Sequence, residues 1–177
     1  MTNKINLNTY AGKILFSVVR IETKQDGKVG PGTGFIVSEE KKEGDISHSI
    51  PFLVTNKHLI EGAEEITFFF IESENDTPSF GKIIEWKLKN PEKHFLNHPS
   101  KNTDLTILPL APILHELSKK GKSAFFISIP HVPFIATEED LSNLNAIEEV
   151  IFTGYPEKVF DDINLIPITR RGITATP

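Results

Sequence analysis

Short apolar runs, separated by clusters of Gly, Pro, Asn and Asp, set the rhythm of the chain. The runs are rich in Val, Ile and Phe, with 13 phenylalanines among 177 residues. Such residues suit a pleated, half-buried surface, so the pattern predicts an all-β protein of short strands. Six strands are expected before Ala111: residues 14–23, 33–38, 51–58, 65–73, 81–89 and 103–110. Asp26-Gly27 marks a hairpin between the first two. The polar stretch "EEKKEGDISHS" reads as a solvated loop leading into "PFLVTNKH". Six strands suit a small barrel, which defines a first unit over residues 1–111.

The pattern changes over residues 112–146, which read as a part-helical connector. "APILHELSKKG" places Pro112 near a helix start and Gly121 at its stop. Thr137 is a candidate N-cap, with acidic residues in the first turn after it. Strand character returns over residues 147–177 in "IEEVIFTGYP" and "INLIPITRRGITATP". Two strands cannot close a barrel, so open edges and an unfilled core are expected there.

Composition narrows the partners. A formal charge of -5 disfavours nucleic acid, whose phosphates require clustered Lys and Arg. No segment approaches the roughly 20 apolar residues that cross a bilayer, so no membrane partner is expected. The first 19 residues have no apolar core followed by a small-residue cleavage site, which disfavours a signal peptide. There is no cysteine, which excludes disulfides, thiolate zinc sites and a cysteine nucleophile. It also fits a reducing compartment, and a cytoplasmic location is expected.

The candidate chemistry centres on "FLVTNKHLIEG", where His58 stands just past an apolar run. A histidine in that place is commonly only packed and hydrogen-bonded. Its neighbours shift the balance. One expected hairpin upstream lies "GTGFIV", in which Gly32 and Gly34 permit a sharp bend or a close backbone approach. Downstream, "NTDLTILPL" places Asp104 just before another apolar strand. A carboxylate there can accept the imidazole Nδ1–H and fix its tautomer. The other histidines carry no assigned role. His94 and His98 lie four apart without a strong third ligand, and His48, His115 and His131 occupy polar or turn contexts.

Taken in order, "GTGFIVS", "FLVTNKHLIEG", "NTDLTILPLAP", "EEVIFTGYPE" and "LIPITRRGITATP" resemble a trypsin-like serine peptidase of the chymotrypsin fold. The likeness is closest to the bacterial, cysteine-free members, which often carry Thr-Asn-Lys-His where animal enzymes carry Thr-Ala-Ala-His. It implies a double β-barrel, with the first barrel complete and the second only begun. It also implies His58 as general base, Asp104 as its orienting carboxylate, a polypeptide substrate, and neither cofactor nor metal.

The sequence departs from that family at the nucleophile. No Gly-x-Ser-Gly stretch occurs, and no serine follows Ser142. Loss of the serine from such a triad costs on the order of 10⁶ in rate, so these residues alone are expected to be inactive. Three explanations compete: a piece of a longer product, a second barrel completed by another polypeptide, or a non-catalytic module whose tail packs differently. Such a module would bind extended peptides by strand addition, or act as a scaffold within a larger protein.

Overall fold

The computed structural model describes residues 5–44, 46–130, 134–156 and 159–174; His131 lies outside them. Antiparallel β-structure dominates. In chain order the elements are α1 (Tyr10–Leu15), β1 (Val18–Gln25), β2 (Lys28–Glu43), β3 (Ile46–Thr55), α2 (Lys57–Ile60), β4 (Glu65–Glu74) and β5 (Thr77–Lys89). A 3₁₀ turn (Pro91–Lys93) leads to β6 (Leu96–Asn97) and β7 (Thr106–Pro109). Then come α3 (Ala111–Lys119), β8 (Ala124–Phe125), β9 (Ile129–Pro130), α4 (Glu138–Ser142), β10 (Glu149–Gly154) and β11 (Ile168–Ile173).

The main sheet has nine strands, seven of them in the order β5-β4-β1-β2-β3-β7-β6. Its two ends, β5 and β6, are joined in the chain by the 3₁₀ turn, so the sheet curls around a single apolar interior. Ile21, Ile36, Leu53, Ile66, Phe68 and Leu110 are fully buried there. Each such side chain contributes roughly 1.5–3 kcal/mol by leaving water. α3 covers this core with Ile113 and Leu117, one turn apart on the same helix face.

Local chemistry explains the turns. Asp26 and Gly27 both have positive φ (50° and 72°) between the paired Gln25 and Lys28. That is the two-residue hairpin geometry matching strand twist. Asn75 and Asp76 (φ 51° and 56°) make the equivalent turn between β4 and β5.

Several expectations are revised, among them the count of six strands before Ala111, where the structure has seven. Residues 14–15 belong to a helix, because Thr9 caps α1 by accepting a hydrogen bond from Gly12 N–H, and the strand begins at Val18. The polar stretch 39–49 is a hairpin: Glu39 to Glu43 pair residue by residue with Ile50 to Ile46. β3 ends at Thr55, so His58 stands on the short helix α2. The main sheet also takes in residues from the expected connector, since β8 pairs with β4 and β9 runs parallel to β2.

β4 accounts for the "TFFF" run. Residues 66–71 are buried on both faces. Ile66, Phe68 and Phe70 face the main core. Phe69 and Ile71 join a second cluster with Phe16, Tyr155 and Leu165. A strand covered on both sides reads as a continuous apolar run, without alternation. The second cluster seats the C-terminal segment on the outer face of the main sheet. Tyr155 donates its hydroxyl hydrogen to the Leu165 carbonyl at 2.9 Å, and burial holds its phenol well above the ordinary range. β10 and β11 form a separate two-stranded sheet on which Ile151, Phe152 and Ile173 are exposed.

Gly34 marks a tight approach between neighbouring strands of the sheet. A Cβ there would lie 2.9 Å from Leu53 Cδ1, 3.0 Å from Ile21 Cδ1 and 3.1 Å from the Val54 carbonyl oxygen. The Gly34→Ala variant is therefore expected to lose about 1–3 kcal/mol of stability through overpacking, read by urea unfolding. Unchanged or increased stability would contradict this packing.

Candidate active site

The register of β3 and β7 brings the site together. These strands pair antiparallel with Thr55 opposite Thr106. The residues just past Thr55 and just before Thr106 therefore emerge at the same end of the pair. His58 is three residues beyond the one, and Asp104 two before the other. Their side chains meet with His58 Nδ1 2.6 Å from Asp104 Oδ2.

The helix carrying His58 has only four residues and is held from three directions. Ile60 is buried in the main core. Leu59 lies over Gly32, where a Cβ would come within 2.7 Å of Leu59 Cδ1. At the N-terminus, Asn56 occupies the N-cap position without making a side-chain cap bond. Asp104 serves instead, its Oδ1 accepting the His58 backbone N–H at 3.1 Å. An anion at a helix N-terminus satisfies an otherwise orphaned donor.

Every residue of the Thr-Asn-Lys-His quartet is bonded through its side chain, Asn56 and His58 both to Asp104. Thr55 donates its hydroxyl hydrogen to the Thr33 carbonyl at 3.0 Å, tying the end of β3 to β2. Asn56 donates from Nδ2 to the Asp104 backbone carbonyl at 2.9 Å and to Asp104 Oδ2 at 3.2 Å. Lys57 donates from Nζ to the carbonyls of His98 and Ser100, at 2.8 and 2.9 Å. Thr33 carries the arrangement further, since its hydroxyl oxygen accepts the Tyr155 backbone N–H at 2.9 Å.

The Asp104 carboxyl is held below the ordinary carboxylate range, first by the His58 ring N–H and then by the His58 backbone N–H. An ionised carboxylate only accepts hydrogen bonds, so the proton between the two side chains sits on His58 Nδ1. In the neutral ring this leaves the Nε2 lone pair available. The His58 side chain is 66% exposed and that of Asp104 49%, so Nε2 is open to an incoming group. Chemically this is a tautomer-fixed base able to take up a proton and return it.

Comparison with protein-family models, with curated proteins and with solved structures finds no match.

The structure thus brings His58 and Asp104, the two residues singled out from sequence, into direct contact. Asn56, Lys57 and Thr33 are additions. For Asn56 and Lys57 the signal was the polar run beside the histidine, but their partners include backbone carbonyls, which leave no mark in a sequence; Thr33 lies far upstream, in "GTGFIV". His98 serves the loop before Asp104: its ring Nδ1 accepts the Ser100 N–H at 3.2 Å, and its own carbonyl receives Lys57. Among the described residues, no group of three or more His, Asp or Glu is placed to hold a metal. No helix among them is long and apolar enough to cross a membrane.

The lowered Asp104 pKa fixes the sign of a pH effect. The folded value lies below the unfolded one, about 3.9, so the carboxylate's stabilising effect is complete above that value and lost as pH falls through the folded one. Urea unfolding should show Asp104→Asn less stable than wild type near pH 5, with the margin narrowing as pH falls below about 4. A margin that is independent of pH, or that widens in acid, would contradict an ionised Asp104.

Proposed function

We propose that this chain carries the general-base half of a trypsin-like serine peptidase active site, within a chymotrypsin-like double β-barrel to which β10 and β11 contribute opening strands. The observation that carries the reading is the 2.6 Å contact between His58 Nδ1 and Asp104 Oδ2, made by a histidine just past one strand and an aspartate just before its neighbour. The curled main sheet, and the separate β10–β11 pair beyond it, support the architectural part.

In this reading His58 Nε2 accepts the proton of a serine hydroxyl as its oxygen attacks the substrate carbonyl. The same nitrogen then delivers that proton to the leaving amine, giving an acyl-enzyme and a free amine. A water molecule repeats the cycle, transferring its proton to Nε2 and its oxygen to the acyl carbon, and the serine is regenerated. Asp104 stays ionised throughout and stabilises the imidazolium formed in each half-reaction. The substrate is a polypeptide, and no step calls on a cofactor. The nucleophile is not supplied by a Gly-x-Ser-Gly stretch within residues 1–177.

The exposed Ile151, Phe152 and Ile173 on the β10–β11 pair support a second reading: a non-catalytic module that binds extended peptides. A fluorophosphonate probe separates the two when applied to the natural gene product in cell extract. The peptidase reading predicts covalent labelling of a serine in that product or in a polypeptide bound to it, abolished by His58→Ala. Labelling that survives the substitution removes His58 from the mechanism. Absence of labelling in the wild type favours the binding module.

A further inference from the structure

We propose that Asn56 and Lys57 are positioning residues that assemble the His58–Asp104 pair from the main sheet alone. The consequence for catalysis rests on the peptidase reading; the assembly itself does not.

A solvent-exposed ion pair is weak by itself, because water screens the charges and both side chains lose rotamer freedom. Yet His58 and Asp104, with 66% and 49% of their side chains exposed, are held in bonding contact. The local bonds supply the restraint. The segment that carries Asp104 leaves β6 at Asn97 and re-enters the sheet at Thr106, without regular structure between. Two side chains from the quartet hold it. Lys57 Nζ binds two of its carbonyls, those of His98 and Ser100. Asn56 Nδ2 binds both the backbone oxygen and the carboxylate Oδ2 of Asp104 itself.

Asn56 thus restrains the aspartate at two atoms. With the His58 backbone N–H on Oδ1 and the ring N–H on Oδ2, the carboxylate is held by donors from residues 56–58. None of these donors lies in β10, β11 or the segment between them. An orienting carboxylate loses its effect if it can rotate, because the imidazole tautomer then follows the solvent. In this structure rotation is blocked before any second sheet is considered.

The test uses the 177-residue chain and, separately, the natural gene product. Asn56→Ala and Lys57→Met are compared with wild type by NMR, with far-UV circular dichroism as the check on folding. Asn56→Ala is expected to speed solvent exchange of the His58 ring Nδ1–H about ten-fold or more. Lys57→Met should similarly speed exchange of the backbone amides over residues 99–104, with Lys57→Arg restoring part of the protection because a guanidinium also reaches two carbonyls. Should Asn56→Ala fail to fold, Asn56→Ser takes its place. Wild-type exchange at both positions in folded variants would overturn the proposal. In the gene product, peptide hydrolysis should fall about 10–100-fold in kcat with KM unchanged, as for other residues that orient a catalytic group. A loss expressed only as a raised KM, with kcat unchanged, would also overturn it. Absence of hydrolysis in the wild type would sink the peptidase reading instead, leaving the exchange measurements to decide the assembly.

Discussion

The arrangement turns on the carboxylate of Asp104, which does two jobs at once. One oxygen caps the short helix α2 through the His58 backbone N–H, and the other receives the His58 ring. Helix and imidazole are therefore oriented by the same group. A four-residue helix has too few internal hydrogen bonds to fix its own direction. It borrows that direction from Asp104 at one end and from the buried Ile60 at the other. The weak energetics of an exposed pair then matter little, since the backbone donor, the Asn56 amide and the core set its geometry.

The second constraint is the double burial of β4. Ile66, Phe68 and Phe70 close the main core, and Phe69 and Ile71 provide the floor for Tyr155 and Leu165. Arg20 adds to the outer layer, its guanidinium stacked 4.2 Å from the Phe69 ring centroid and 4.6 Å from that of Phe160. Thr33 links this layer to the site, holding Tyr155 by its hydroxyl and Thr55 by its carbonyl. The start of the C-terminal segment is thereby registered against the same strand end that presents His58.

Much of this was legible in the residues. The apolar runs located the long strands, the Asp26-Gly27 dipeptide located the first hairpin, and Thr137 and Gly121 fell at helix boundaries as expected. The pairing of His58 with Asp104 followed from each standing at the end of a strand. What escaped had physical reasons. The hairpin over residues 39–50 carries charge because most of it is exposed, so no buried face imprints an alternation on it. β8 and β9 are two residues long, below the length at which any period shows. The run "INLIPI" reads as a strand, but Asp161 accepts the N–H groups of Ile163 and Asn164, and Leu165 takes φ 55°, which bends the chain away from extension. Residues 14–15 are apolar enough for a strand, and only the cap at Thr9 tips them into a helix.

The central claim is that His58 carries its neutral-state proton on Nδ1, held against Asp104, with Nε2 free to act as a base. The most direct measurement is the nitrogen-15 spectrum of the His58 ring at a pH where the imidazole is neutral. The account predicts a single tautomer, with the protonated-nitrogen signature at Nδ1 and the lone-pair signature at Nε2. A ring protonated at Nε2, or one averaging rapidly between the two forms, would contradict it.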